Sequence, residues 1–341
     1  MLRITVLAAL SLALLDLSDV PTTAVAQVKQ EGLIAFQRRV EPGPTEIHLM
    51  KTDGSNARKL ARGCCVEWSP DGERVAYIGE GGTVYLTATD GTGQRQLGVS
   101  RASILEWSPN GQKIAFAGYG QRGIFVVNTD GTGTTRLTDG RDDYPRWSPN
   151  GRRIVFQRFL LEPNNNGDDI FVMNADGSNQ QRLTRGSGHG FPTWSPGGHR
   201  IAFQGWAGDS AEIFVMNADG SDQLQLTTTP ASDEYEPEWS PSGRKLLFLR
   251  HQDNWGPNFR ALHVINRDGT RHRNLTPGQR THSEPEWSKD GRTIIFVRER
   301  RRPNPRNGYS DIYAMTASGR DLAKLTNAAV GTHNSGPKWS P

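Results

Sequence analysis

The sequence predicts an all-β chain, a seven-bladed β-propeller of four-stranded antiparallel blades. Three observations predict it. A tryptophan followed by serine and then Pro or Lys stands at Trp68, Trp107, Trp147, Trp194, Trp239, Trp287 and Trp339, at intervals from 39 residues (68 to 107) to 52 (287 to 339). An apolar triplet ending in an aromatic ring recurs as Ile34-Ala35-Phe36, Val75-Ala76-Tyr77, Ile114-Ala115-Phe116, Ile154-Val155-Phe156, Ile201-Ala202-Phe203, Leu246-Leu247-Phe248 and Ile294-Ile295-Phe296. An Asp-Gly pair follows each apolar third segment, at Asp53, Asp90, Asp130, Asp176, Asp219 and Asp268, with Ser318-Gly319 as the last copy. Repetition at about 40 to 50 residues marks a unit that cannot bury its own faces and must stack on copies of itself.

Residues 147–183 show one unit in order. Trp147 ends a first strand, and Ser148-Pro149-Asn150-Gly151 places Ser, Pro and Gly where a type I turn favours them. The turn leads into Ile154-Val155-Phe156, and Ile170-Phe171-Val172-Met173 reads as the third strand. Asp176-Gly177 tolerates positive φ and turns the chain into a short fourth strand at Arg182-Leu183. At the chain ends, residues 32–60 hold three strands without a Trp strand, while Trp339 is a Trp strand with nothing after it. Lys338-Trp339-Ser340 is therefore expected to pair with Ile34–Phe36 and close the ring, removing exposed sheet edges.

Arg3, the apolar run Ile4–Leu15 and the small residues Ala24-Val25-Ala26 read as a secretory signal peptide over residues 1–26, cleaved near Ala26. Residues 27–341 then form a single propeller domain, periplasmic or secreted, with no later run long enough to span a bilayer. The net charge of +4 comes without an aromatic-plus-basic motif, so no nucleic-acid partner is expected. The only cysteines, Cys64 and Cys65, are adjacent.

The pattern Trp-Ser-Pro-Asp-Gly-x-x-Ile-Ala-Phe, then Ile-Phe-Val-Met-Asn-Ala-Asp-Gly-Ser, then Leu-Thr, resembles the TolB-like propeller repeat over essentially the whole mature chain. The resemblance implies a propeller that binds partners in the cell envelope. Only a few residues separate Gln27 from the first strand, so the α/β domain that precedes the propeller in TolB itself is not expected here. Peptidases that carry a similar repeat would need a G-x-S-x-G elbow, and the sequence has none.

Candidate site residues lie on the face that carries the long, unequal loops. Trp206 and Trp255 fall outside the repeat, in loops between second and third strands, and Tyr144, Phe191 and Tyr235 lie where the chain enters first strands. These aromatics are candidate anchors for a protein or a glycan. Five residues before each Trp stand Gly63, Ala102, Asp142, His189, Glu234, His282 and Asn334, with His333 one step earlier. If they converged at the channel mouth, Asp142 and Glu234 would give an acidic rim, and His189, His282 and His333 a divalent metal site.

The leading functional expectation is a non-enzymatic exported protein that binds an envelope protein or glycan through its loop-rich face, with no catalytic residue and no cofactor. The alternative is a metal-assisted lyase or hydrolase acting on an acidic polysaccharide, with the three histidines as ligands and Glu234 as base.

Overall fold

The computed structural model describes residues 32–341 apart from 119, 163–164, 187, 230–231, 252–258, 279 and 301–307. Residues 1–26, expected as a signal peptide, and Trp255 lie outside the described residues. The chain is all-β: its strands form four-stranded antiparallel groups, and one short 3-10 turn at Glu80–Gly82 is the helical element among the described residues. No helix of the described residues is long and apolar enough to cross a membrane.

Each group is named here by the Trp that ends its first strand. The Trp68 group runs Cys64–Trp68, Arg74–Ile78, Val84–Ala88 and Arg95–Gln96, and the Trp107 group Ala102–Trp107, Lys113–Gly118, Gln121–Asn128 and Thr135–Arg136. The Trp147 group has Arg141–Trp147, Arg153–Glu162, Asn165–Asn174 and Gln181–Arg182, and the Trp194 group Gly190–Trp194, Arg200–Ala207, Ser210–Asn217 and Leu224–Gln225. These four are separate sheets.

The remaining strands form one 12-stranded sheet. Within it, Glu234–Trp239, Lys245–His251, Arg260–Asn266 and Arg273–Asn274 make the Trp239 group. Thr281–Trp287, Thr293–Arg300, Tyr309–Thr316 and Ala323–Lys324 make the Trp287 group. Single parallel bridges, Arg260 to Thr281 and Ser310 to His333, join consecutive groups. The last group takes its first strand, Thr332–Trp339, from the C-terminus and the others, Leu33–Val40, Thr45–Lys51 and Arg58–Arg62, from the N-terminus. Trp339 pairs with Ile34 and Lys338 with Ala35, and Ser340 N donates to Leu33 O at 2.9 Å.

The repeated residues each make a repeated bond. Gly151 N donates to Ser148 O at 2.8 Å, closing the four-residue turn, while Ser148 Oγ accepts from Arg153 N at 2.9 Å and donates to Asn150 Oδ1 at 2.8 Å. The Asp-Gly turns are Asx turns in which the carboxylate accepts from the backbone two residues on, as from Ser178 N to Asp176 at 3.0 Å. Gly177 has φ +88° and lies so close to Leu137 that a Cβ there would stand 3.0 Å from the Leu137 carbonyl oxygen, so both conformation and space select glycine. The Thr of each Leu-Thr pair accepts from the third strand, as Thr184 Oγ1 does from Ile170 N at 2.9 Å.

The core lies between groups rather than within them. Trp194, Ile201, Phe203 and Met216 pack against Val155, Ile170, Val172 and Leu183 of the preceding group. Each such aromatic residue contributes roughly 2 to 3 kcal/mol by burial, which is why no group stands alone. The indoles also bridge groups: Trp68 Nε1 donates to Lys338 O (3.0 Å), Trp107 to Glu67 O (3.2 Å), Trp194 to Arg146 O (3.1 Å) and Trp239 to Thr193 O (3.3 Å). Trp68, Trp107, Trp194 and Trp239 are therefore staples between groups, and of the residues just before the seven repeat tryptophans all but Glu106 line one common wall.

Candidate binding cavity

A cavity of about 670 Å³ lies among the first strands. Its wall is built from two positions of the repeat: one residue before the Trp and three residues before it. The first position supplies Glu67, Arg146, Thr193, Glu238, Glu286 and Lys338, and the second Cys65, Ile104, Tyr144, Phe191, Glu236, Glu284 and Gly336.

A bulge makes the second position face inward. In the Trp147 group Asp143 pairs with Gln157 and Arg146 with Val155, so Tyr144 and Pro145 together oppose one residue. The same one-residue excess occurs in the Trp68, Trp194, Trp239 and Trp287 groups. The bulged residue adopts left-handed φ at Cys65 (58°), Tyr144 (50°), Phe191 (52°), Glu236 (52°), Glu284 (50°) and Gly336 (55°). For the non-glycine residues this costs roughly 1 kcal/mol or more each.

The inner wall is charged. Arg146 Nη1 binds Glu106 Oε2 at 2.8 Å, and Lys338 Nζ stands 3.1 Å from Glu67 Oε1 and 3.6 Å from Glu286 Oε2. Glu238 and Glu286 instead accept from the next group's backbone, Trp287 N at 3.4 Å and Trp339 N at 2.9 Å. Burial, reinforced by the neighbouring Glu286, pushes the Glu238 carboxyl up to about 8. Glu286 rises to about 7 through burial, opposed by Lys338. Burial also raises Glu236 and Glu284. Burial works to lower Lys338, but Glu67 and Glu286 outweigh it and raise the ammonium above its ordinary value.

Tyr144 and Phe191 pack together on the wall, ring centroids 4.7 Å apart at 58°. An aromatic pair beside carboxylates offers a cationic group both a π face and a counter-ion.

The structure places the residues five before each Trp elsewhere, inside the sheets and away from the cavity wall. Asp142 is buried in a bidentate pair with Arg158, at 2.6 and 2.8 Å. His189 Nδ1 lies 2.9 Å from Asp169 Oδ1, and Asp169 also accepts from Thr184 and Arg182. Glu234 is fully buried, accepts from Thr229 Oγ1 at 3.0 Å, and is raised to about 7 by burial, with the adjacent Glu212 adding to the shift. His282 Nδ1 donates to Arg260 O at 2.9 Å, and burial lowers its pKa to about 4. His333 lies opposite Arg39 in the strand pairing. The three histidines are thus held in different groups, and no set of three or more His, Cys, Asp or Glu among the described residues is arranged to hold a metal ion.

Of the aromatic candidates, Tyr144 and Phe191 meet on the cavity wall. The Tyr235 hydroxyl donates to Asp233 Oδ2 at 3.0 Å, and its ring packs on a core cluster outside the cavity. Trp206 is 50% exposed and lies over Gly188, where a Cβ would meet its Cδ1. Glu236 and Glu284 are legible in the sequence as negative charge on a channel rim; Glu67, Glu238 and Glu286 and the cations Arg146 and Lys338 are not. The signal for these is the polar residue that stands immediately before every repeat Trp.

Stacked four-stranded sheets whose first strands line one polar cavity define the β-propeller fold. The chain belongs to the TolB beta propeller domain family, whose model matches residues 31–188 and 83–259. No curated protein matches the chain. Solved structures do: TolB of Acinetobacter baumannii is 16% identical, with a TM-score of 0.56, over 95% of this chain and 86% of that one. Oligogalacturonate lyase of Vibrio parahaemolyticus is 13% identical, with a TM-score of 0.62, over 86% of each chain. The β-propeller domain of the trilobed protease of Pyrococcus furiosus is 11% identical, with a TM-score of 0.67, over 87% of this chain and 97% of that one. At these identities the likeness is one of fold.

Proposed function

We propose that the chain is an exported, non-enzymatic seven-bladed propeller that binds a protein partner by taking a basic segment of it into the cavity. Residues 1–26 are read as the signal peptide and 27–341 as the propeller, periplasmic or secreted. The seven Trp strands and the pairing of Trp339 with Ile34 support the blade count and a ring closed by the two chain ends.

The observation that carries the binding reading is the wall itself. Glu67, Glu236, Glu238, Glu284 and Glu286 share one space with the Tyr144–Phe191 pair, while the cations Arg146 and Lys338 are already engaged by carboxylates. A lysine or arginine side chain would find an aromatic face and an uncommitted carboxylate there. Trp206, which the sequence places in a loop but which lies inside the strand Arg200–Ala207 opposite Ala211, is half exposed and would add an anchor outside the cavity.

The test is titration of the purified protein with an oligolysine peptide, an oligoglutamate control and a neutral oligosaccharide. Glu236→Gln/Glu284→Gln should weaken oligolysine about tenfold or more, since each desolvated charge pair contributes on the order of 1 kcal/mol. Equal binding by native protein and the double Gln variant, or binding of the oligosaccharide alone, would overturn the proposal.

A further inference from the structure

We propose that Cys64 and Cys65 form a redox-active dithiol on the cavity wall that reacts with low-molecular-weight disulfides to give a disulfide bond between the two neighbouring residues. The case begins with backbone geometry. Consecutive side chains of a strand point to opposite faces, so adjacent cysteines in an ordinary strand hold their sulfurs apart. Here the bulge interrupts the pleat. Cys64 pairs with Ile78 and Glu67 with Ala76, leaving Cys65 and Val66 opposite a single residue, and Cys65 takes φ +58°.

That twist brings the two sulfurs to the same side, 2.9 Å apart, with Cys65 Sγ–H donating to Cys64 Sγ. A disulfide bond of about 2.05 Å needs the sulfurs to close by somewhat less than 1 Å. Both residues are partly exposed, and Cys65 lines the cavity, so a small disulfide has a path to the pair. The corresponding residues of other groups, Asp143-Tyr144, Gly190-Phe191 and Ser283-Glu284, carry no thiol.

The chemistry divides the roles. The hydrogen bond from Cys65 lowers the Cys64 thiol to about 7, giving a thiolate at neutral pH, while the same bond, with burial and the charges of Glu67 and Glu284, raises Cys65. The Cys64 thiolate attacks one sulfur of the external disulfide, forming a mixed disulfide and expelling one thiolate. With the hydrogen-bond acceptor now neutral, Cys65 loses its proton to solvent and attacks Cys64 Sγ. The Cys64–Cys65 bond forms and a second thiolate leaves. Two electrons pass from the protein thiols to the external disulfide. Because adjacent α-carbons are about 3.8 Å apart, closer than most disulfides allow, the bond is strained and readily reduced.

Purified protein is equilibrated with graded ratios of oxidised to reduced glutathione, quenched with acid, alkylated and weighed intact. The expected oxidised species is a monomer that takes up no alkylating agent and is lighter by two hydrogens, with both cysteines in one cross-linked peptide. Cys65→Gly, which accepts the left-handed φ, should instead accumulate a glutathione adduct on Cys64. Because Cys65→Gly also removes the donor that lowers Cys64, its adduct should form about tenfold more slowly than native protein is oxidised, following the thiolate fraction. A persistent adduct or a cross-linked dimer in native protein, two alkylatable thiols at every ratio, or a Cys65→Gly adduct formed as fast as native protein is oxidised would overturn the proposal.

Discussion

Replacing Glu238 with glutamine should make the protein more stable in alkali and change little in acid. Glutamine keeps the oxygen that accepts from Trp287 N and removes only the charge. The native carboxyl titrates at about 8 in the folded chain, because it is buried beside Glu286, against an ordinary value of 4.5. Between those values the folded protein holds a proton that the unfolded chain has released, so stability falls as pH rises, by about 1.4 kcal/mol per unit. Over the whole interval the ceiling is about 5 kcal/mol, and water in the cavity screens it to roughly 2 kcal/mol. Glu286, itself raised to about 7, shares the titration, so the pair releases its protons in two joint steps. Urea unfolding of native protein and Glu238→Gln at pH 5 and pH 9 reads the effect. The variant should match native protein within about 0.5 kcal/mol at pH 5. At pH 9 it should be more stable by about 2 kcal/mol, or roughly 4 °C in melting temperature. The same difference at both pH values, or a variant less stable at pH 9, would refute the account of the wall as a set of unwillingly ionised carboxyls.

Two further comparisons test the scaffold. Trp194→Phe removes the indole bond to Arg146 O, whereas the buried Trp147 Nε1 has no hydrogen-bond partner among the described residues. Trp194→Phe should therefore cost about 1 to 2 kcal/mol more than Trp147→Phe in chemical denaturation, and equal losses would count against the stapling role. Thr184 bonds both Ile170 N and the buried Asp169 carboxylate, while Thr138 bonds Ile124 N. Thr184→Val should destabilise by about 2 to 3 kcal/mol and Thr138→Val by about 1; a reversed order in the same assay would exclude the carboxylate as the source of the difference.

Much of the scaffold was legible in the sequence because each scaffold residue answers a local demand that repeats. Ser148 serves its own turn, Gly177 its own positive φ, and Thr184 its own strand, so the pattern reads the same in most copies, with Ala61 and Gly98 standing at the Thr position of two. The pairing of Trp339 with Ile34 followed from which strands each chain end lacks. The wall was less legible. Counting five residues back from Trp reached His189 and His282, which the structure buries against Asp169 and the Arg260 carbonyl. The bulge inserts one residue between that position and the Trp, and a one-residue shift turns a strand's side chains to the other face. Neither Tyr144 nor Glu236 favours positive φ, and the trace the bulge leaves is the proline that follows, Pro145 and Pro237, a residue that sheets admit at edges and bulges.

The repeat also supplies its own control. Where a position serves folding, most copies agree: Trp, then Ser, then a tight turn, and in five of the seven a Thr that ties two strands together, at Thr138, Thr184, Thr227, Thr276 and Thr326. The position before the Trp reads Glu67, Glu106, Arg146, Thr193, Glu238, Glu286 and Lys338. Folding alone would favour neutral or apolar residues there, because a buried carboxyl beside another raises the free energy of the folded state whenever it ionises. The backbone adds strain at the same wall, at Cys65, Tyr144, Phe191, Glu236 and Glu284. Left-handed backbone is not special to that wall, since the short turns carry it too, at Asn56, Asn179, Asp222, Arg271 and Asp321. What sets the wall apart is the gathering of Glu67, Glu236, Glu238, Glu284 and Glu286 around one cavity, and the stability lost when such neighbours ionise is what the proposed basic ligand would offset.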